Sequence, residues 1–210
     1  MIQLKNISLK YDNKLIFKDL SLKIKTNQKV AILGESGSGK TSLLNLIIGF
    51  VKPQTGKIFV NNLELNPQNI RTIRKNIAWL PQGIDMYFEN VNEMFFAPFY
   101  LNLNKKNKPD NNQIEKIFKA FNLDFDLMNK KVSEISGGQK QRLILASILL
   151  TNKKIYLLDE PTSALDTANA SLIAEYLKKL DATIIAASHD QDFFSKMDYT
   201  INLNKLIENE

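Results

Sequence analysis

The stretch Lys29-Val30-Ala31-Ile32-Leu33-Gly34-Glu35-Ser36-Gly37-Ser38-Gly39-Lys40-Thr41-Ser42 decides how this 210-residue chain folds. Lys29–Leu33 is a short apolar run that stops at a glycine, and Thr41–Ile48 beyond the Gly/Ser loop carries apolar residues at helical spacing. A strand, a loop and a helix are therefore expected in succession. Gly34–Thr41 fits G-x-x-x-x-G-K-[ST], the pattern of a loop that wraps phosphates. Its glycines Gly34, Gly37 and Gly39 let the backbone curl so that N–H groups point at the α- and β-phosphates, and the next helix adds its positive end. Lys40 is then placed to reach the β- and γ-phosphates, and the Thr41 hydroxyl to ligate Mg²⁺. Glu35, Ser36, Ser38 and Ser42 complete the candidate phosphate-binding positions.

Upstream, Ile2–Tyr11 and Leu15–Lys25 show apolar residues at period two, as half-buried strands do, so an N-terminal antiparallel sheet is expected. Downstream, Gly56–Asn61 reads as a strand and Pro67–Lys75 as a short helix leading to the strand Ile77–Leu80, which Pro81 ends. Between Gly83 and Ile135 the texture changes. Aromatic residues cluster at Tyr87, Phe88, Phe95, Phe96, Phe99 and Tyr100, a Lys/Asn loop follows, and Asn111–Phe121 has helical spacing; this reads as an inserted helical lobe. A helix Gln139–Leu150, a strand Ile155–Leu158, a helix through Leu172–Leu180, a strand Thr183–Ala187, a short helix and a last strand Tyr199–Leu203 complete the chain. Apolar strands alternating with helices predict an α/β fold whose parallel sheet is covered on both faces.

Two further clusters carry chemistry. Four apolar residues, Ile155–Leu158, deliver Asp159 and Glu160 at a strand's C-terminal end, where open α/β sheets bind ligands. Asp159 suits Mg²⁺, and Glu160 suits a general base that polarises water. Ile135-Ser136-Gly137-Gly138-Gln139 sets two glycines after a serine at a helix start, a second phosphate-binding turn. The helix continues through Lys140, Gln141 and Arg142, which suit an anionic neighbour.

With these motifs in this order the chain resembles the nucleotide-binding subunit of ATP-binding cassette (ABC) transporters. The resemblance implies a P-loop NTPase (RecA-like) core, with an N-terminal antiparallel β subdomain and an inserted α-helical lobe. Residues 1–82 and 137–210 would form the core, and 83–136 the lobe. It assigns Ser136, Gly137, Gly138 and Gln139 to the signature turn, Ile135 standing where Leu is usual. Gln82 matches the glutamine that contacts Mg²⁺ and couples to the membrane subunit. Asp166 closes the Ser163-Ala164-Leu165-Asp166 loop, His189 matches the switch histidine at the γ-phosphate, and Tyr11 the aromatic that stacks on adenine. Glu160, His189, Gln82 and Lys40 are thereby the catalytic candidates, and Thr41, Gln82 and Asp159 the metal ligands. Two copies would sandwich two ATP molecules, each between one copy's phosphate loop and the other's signature turn, which explains two phosphate-binding turns in one chain.

Composition agrees and excludes other chemistries. With no cysteine and one histidine, disulfides, thiolate nucleophiles, Cys-ligated clusters and multi-histidine metal sites are ruled out. Five of the eight glycines lie in the two phosphate-binding turns. The net charge of +6 follows Lys and Asn spread along the whole chain, so no nucleic-acid partner is expected. No apolar run spans a bilayer and the start lacks a signal peptide's apolar stretch, which points to the cytoplasmic face of the membrane and a separate transmembrane permease. Only 53 residues without sustained heptads separate Gln82 from Ser136, which disfavours the DNA-repair members with their long coiled coil; a single cassette disfavours the translation factors. Asn90–Phe99 and the Lys/Asn loop resemble the short lobe of an iron-exporting cassette subfamily. Import of a small solute, metal or oxyanion is the alternative, and a role in iron–sulfur cluster assembly a further one.

Overall fold

The structure, a computed structural model, describes residues 1–12, 14–83 and 87–204. The expected lobe 83–136 and core segment 137–210 thus include residues 84–86 and 205–210, which lie outside the described residues.

β1 (Ile2–Tyr11), β2 (Lys14–Ile24), β3 (Lys29–Leu33), α1 (Lys40–Ile48), β4 (Thr55–Val60), β5 (Leu63–Glu64), α2 (Ile70–Lys75) and β6 (Ile77–Leu80) form the first half. α3 (Val91–Tyr100) and α4 (Asn111–Ala120), with short 3-10 turns, form the lobe. α5 (Gly137–Leu150), β7 (Ile155–Asp159), α6 (Thr167–Lys179), β8 (Thr183–Ala187), α7 (Gln191–Ser195) and β9 (Tyr199–Asn202) follow.

The strands divide into two sheets. β2-β1-β4-β5 is antiparallel, and β6-β7-β8-β3-β9 is parallel throughout. Alternate residues of the parallel sheet serve different cores, as a period of two requires. Val30, Ile32, Ile155, Leu157, Ile185 and Ala187 face α1 and the antiparallel sheet, while Ala31, Tyr156, Leu158, Ile184 and Ala186 face α3 to α6. Both faces are buried, so β7 and β8 are apolar at nearly every position. α1 is wedged between the sheets by Leu43, Leu44, Leu46 and Ile47, none with accessible surface.

The lobe leaves and rejoins the core side by side. Asn90 bridges Lys131, Val91 N–H donates to Lys130 O and Val132 N–H to Glu89 O, both at 3.0 Å. Helix α3 falls within the expected helical lobe, though the sequence pattern does not mark its bounds. Its inward residues Val91, Met94, Phe95 and Phe99 do follow helical spacing. The adjacent Phe96 and a proline inside the helix, Pro98, mask that period, since proline removes one helical N–H. The sequence pattern does not mark the two-residue β5.

Candidate functional site

Because β6, β7, β8 and β3 are parallel neighbours, their C-terminal ends share one edge of the sheet. Gln82 follows β6, Asp159 and Glu160 end β7, His189 follows β8, and Gly34 follows β3. Residues as far apart in sequence as Gly34 and His189 thus meet by topology alone. They line one cleft of about 610 Å³, together with Glu35, Ser36, Gly37, Gly39, Lys40, Thr41 and Ser42.

The phosphate loop is held in a conformation that side chains oppose. At Gly39, φ is +98°, and a Cβ would lie 2.8 Å from Ile16 Cγ2 and 2.9 Å from Phe17 Cζ, both on β2. Lys40 Nζ donates to Gly34 O at 2.8 Å and Glu35 O at 3.1 Å, closing the loop on itself. Ser38 Oγ is buried with no hydrogen-bond partner among the described residues, and Ser38 is not among the residues lining the cleft.

Thr41 Oγ1 donates to Asp159 Oδ2 at 2.7 Å, joining the start of α1 to the end of β7. Burial raises the Asp159 carboxyl above the usual carboxylate range, and the charge of Glu160 adds to this; the Thr41 hydroxyl and the Lys40 ammonium oppose it. Glu160 is also buried, and His189 Nδ1 lies 3.0 Å from its Oε2. The His189 side chain itself is 74% exposed, in the open cleft. Glu160 adopts φ +52°, a left-handed backbone that is uncommon for a residue with a side chain.

The remaining candidates are not among the residues lining this cleft. Tyr11, 42% exposed, ends β1 opposite Lys14, which lines the cleft. Ser136 caps α5: Gln139 N–H donates to its Oγ at 3.2 Å and its own N–H donates to Gln139 Oε1 at 2.9 Å. Gly137 lines a smaller cavity of about 220 Å³ shared with Asp159 and Glu160, and a Cβ on Gly137 would meet open space. A Cβ on Gly138 would come within 3.1 Å of Ala164 O. Asp166 caps α6, accepting from Asn169 N–H and Asn169 Nδ2, both at 2.8 Å; these bonds, with Arg142 nearby, lower its pKa.

One expectation is corrected. Arg142 does not face an external anion: it is buried and donates to Gly138 O, Phe121 O, Asn122 O and Asn169 Oδ1, tying α5 to the lobe and to α6. Sequence spacing misses Lys14 and Ile16 as cleft residues, since both come from the antiparallel sheet and no motif marks them.

Comparison with known proteins identifies the family. Residues 17–163 match the family described as ABC transporter. The chain is 34% identical over 202 residues to the ergothioneine transport ATP-binding protein EgtV of Helicobacter pylori (strain G27), covering 94% of this chain and 93% of that one. It is 34% identical to the energy-coupling factor transporter ATP-binding protein EcfA of Aster yellows witches'-broom phytoplasma (strain AYWB), covering 97% and 75%. Among solved structures, the dimeric post-hydrolysis state of the ATP-binding cassette MJ0796 with ADP and Pi superposes with a TM-score of 0.78 at 27% identity, covering 96% and 94%. The chain belongs to the ABC transporter family, as an ATP-binding cassette that hydrolyses ATP.

Proposed function

We propose that this chain is the ATP-driven subunit of a membrane transporter, working as a homodimer at the cytoplasmic face and docked to a separate permease, with 83–136 as its partner-facing lobe. The observation that carries the proposal is the convergence of the phosphate loop, Asp159, Glu160, Gln82 and His189 on one cleft. Gly34–Ser42 would bind the phosphates of ATP, with Lys40 exchanging its carbonyl partners for phosphate oxygens, and Tyr11 would stack on the base. Thr41, Asp159 and Gln82 offer only oxygen donors toward the metal, a hard set that fits Mg²⁺. When bound, Mg²⁺ supplies charge neutralisation on the β- and γ-phosphates.

Glu160 would accept the proton of the attacking water, and His189, beside it, would contact the γ-phosphate. Ser136 and Gly137–Gln139 would hold the γ-phosphate of the partner copy's ATP, with Asp166 at the same interface. Loss of that phosphate on hydrolysis removes the contacts that join the two copies.

A second, apolar groove of about 490 Å³ supports the permease contact. It runs beside β6 and is lined by Trp79, Phe88, Met94, Ala97, Pro98 and Leu101. Of the aromatic stretch of the lobe, Phe88, Met94, Ala97 and Pro98 line this groove, whereas Phe95 and Phe99 are core residues that do not. The permease chooses the solute.

Glu160→Gln is expected to lower phosphate release by about a hundredfold or more and to accumulate an ATP-bound dimer on a sizing column. Lys40→Ala is expected to weaken ATP binding itself. Normal turnover by Glu160→Gln overturns the general-base assignment, and wild-type turnover by His189→Ala removes the switch role.

A further inference from the structure

Glu160 lies in the left-handed region, which a residue with a side chain rarely adopts because its Cβ crowds the backbone. Such a conformation persists only where neighbours impose it. On one side, Glu160 N–H donates to Ala187 O of β8 at 2.8 Å. On the other, the Glu160 carbonyl accepts from Gln141 Nε2 at 2.8 Å and from Ser163 Oγ at 3.2 Å.

The Gln141 side chain does more than donate once. Its Oε1 accepts from Ala164 N–H at 2.9 Å, and its Nε2 is also 3.4 Å from Ser163 Oγ. One primary amide therefore spans the turn from Glu160 to Ala164 at both ends. It needs a donor toward a carbonyl and an acceptor toward an N–H at once, a pair that glutamine supplies and that neither an ionised glutamate, with acceptors only, nor an apolar side chain of this length can. Gln141 sits on the second turn of α5, the helix whose first residues are the Ser136–Gln139 capping box. It also lines the 220 Å³ cavity that Gly137 shares with Asp159 and Glu160.

We infer that Gln141 is a positioning residue for ATP hydrolysis, fixing the Glu160 turn to the helix that carries the signature turn and so holding the Glu160 carboxylate toward His189. This rests on the reading of Glu160 as the general base. The geometry makes the link within one chain: the helix whose N-terminus would meet the partner's ATP is hydrogen-bonded to the residue that would hydrolyse its own.

Two variants separate the donor from the side chain's bulk. Gln141→Glu keeps the acceptor for Ala164 N–H but sets a carboxylate oxygen against the Glu160 carbonyl and close to two other carboxylates. Gln141→Met keeps length and loses both bonds without adding charge. In the full-length protein each is expected to lower kcat about tenfold with the KM for ATP within twofold, the signature of a contact realised in the reacting state. In single-turnover phosphate release, either substitution is expected to add less than a further twofold loss in a Glu160→Gln background, because its effect passes through Glu160.

Unchanged kcat in the folded variants overturns the inference, as does a change in KM alone or a full tenfold loss repeated in the Glu160→Gln background. Thermal unfolding of each variant with and without ATP identifies the folded ones, and Gln141→Met carries the test if the added charge of Gln141→Glu prevents folding. Should Glu160→Gln itself turn over normally, the general-base reading fails instead, a result distinct from all of these.

Discussion

Asn6 and Gly56 show what a single residue contributes to this fold. Asn6 is left-handed at φ +49°, and there β1 slips register against both β2 and β4. The slip restores Ile7 and Leu9 to the buried face after the exposed Lys5 and Asn6. Gly56 on β4 lies against the displaced backbone with φ +87°, and a Cβ there would sit 2.3 Å from Asn6 O and 2.4 Å from Lys5 O. Neither carbonyl can swing away as a side chain tip could. Gly56→Ala is therefore expected to destabilise the protein by about 2 kcal/mol or more, read as a lowered unfolding midpoint in urea; an unchanged midpoint contradicts the bulge account. The sequence alone suggests Gly56 begins a strand, but the bulge that requires it is invisible, because a register slip depends on which strand lies alongside. The site residues were legible for the opposite reason. Gly34–Thr41, Asp159 and Glu160 are candidates placed by local backbone geometry at strand ends, which spacing encodes directly, whereas Gln141 bonds across a contact between two separate segments.

At the scale of elements, apolar runs mark β3, β7 and β8, since strands buried on both faces confine polar residues to their ends, at Lys29, Asp159 and Thr183. Tyr156 carries a hydroxyl inside β7. Its hydroxyl is buried, donates to Leu149 O at 2.8 Å and accepts from Lys153 N–H at 3.0 Å, so the strand carries a polar group that closes the end of α5. Burial pushes its pKa up to about 12. A pKa raised in the folded state means that the unfolded chain loses this proton first as pH rises. The stabilising contribution is thus complete below the ordinary tyrosine pKa of about 10 and is lost between there and about 12. Over that window Tyr156 is expected to steepen the decline of stability with pH by up to about 1.4 kcal/mol per pH unit. Tyr156→Phe should be less stable near neutrality by about 1 kcal/mol and show a shallower alkaline decline in urea titrations. Parallel declines in the two proteins would show that the hydroxyl is not held neutral by the fold.

For the whole molecule the topology decides what can meet. The parallel sheet gathers one phosphate-binding turn, both acids and His189 on one edge, yet Ser136, Gly138 and Gln139 are not among the residues lining that cleft. If both turns bind phosphate, a nucleotide supplied by another copy accounts for the second one's lying outside the cleft. If two copies face each other with twofold symmetry, each ATP needs Lys40 from one copy and Ser136 from the other. Lys40→Ala and Ser136→Ala homodimers would then each have two defective sites. A mixed dimer is different: one of its sites carries both defects and the other carries neither. With random pairing of equal amounts, half the dimers are mixed and each has one intact site of two, so the mixture is expected to recover about a quarter of wild-type turnover if intact sites act independently. Phosphate release from each variant alone and from the mixture measures this directly. A mixture no more active than its parts would mean that both turns serve the same nucleotide or that one intact site cannot turn over, and sizing of the mixture with ATP separates these, since only the second retains an ATP-dependent dimer.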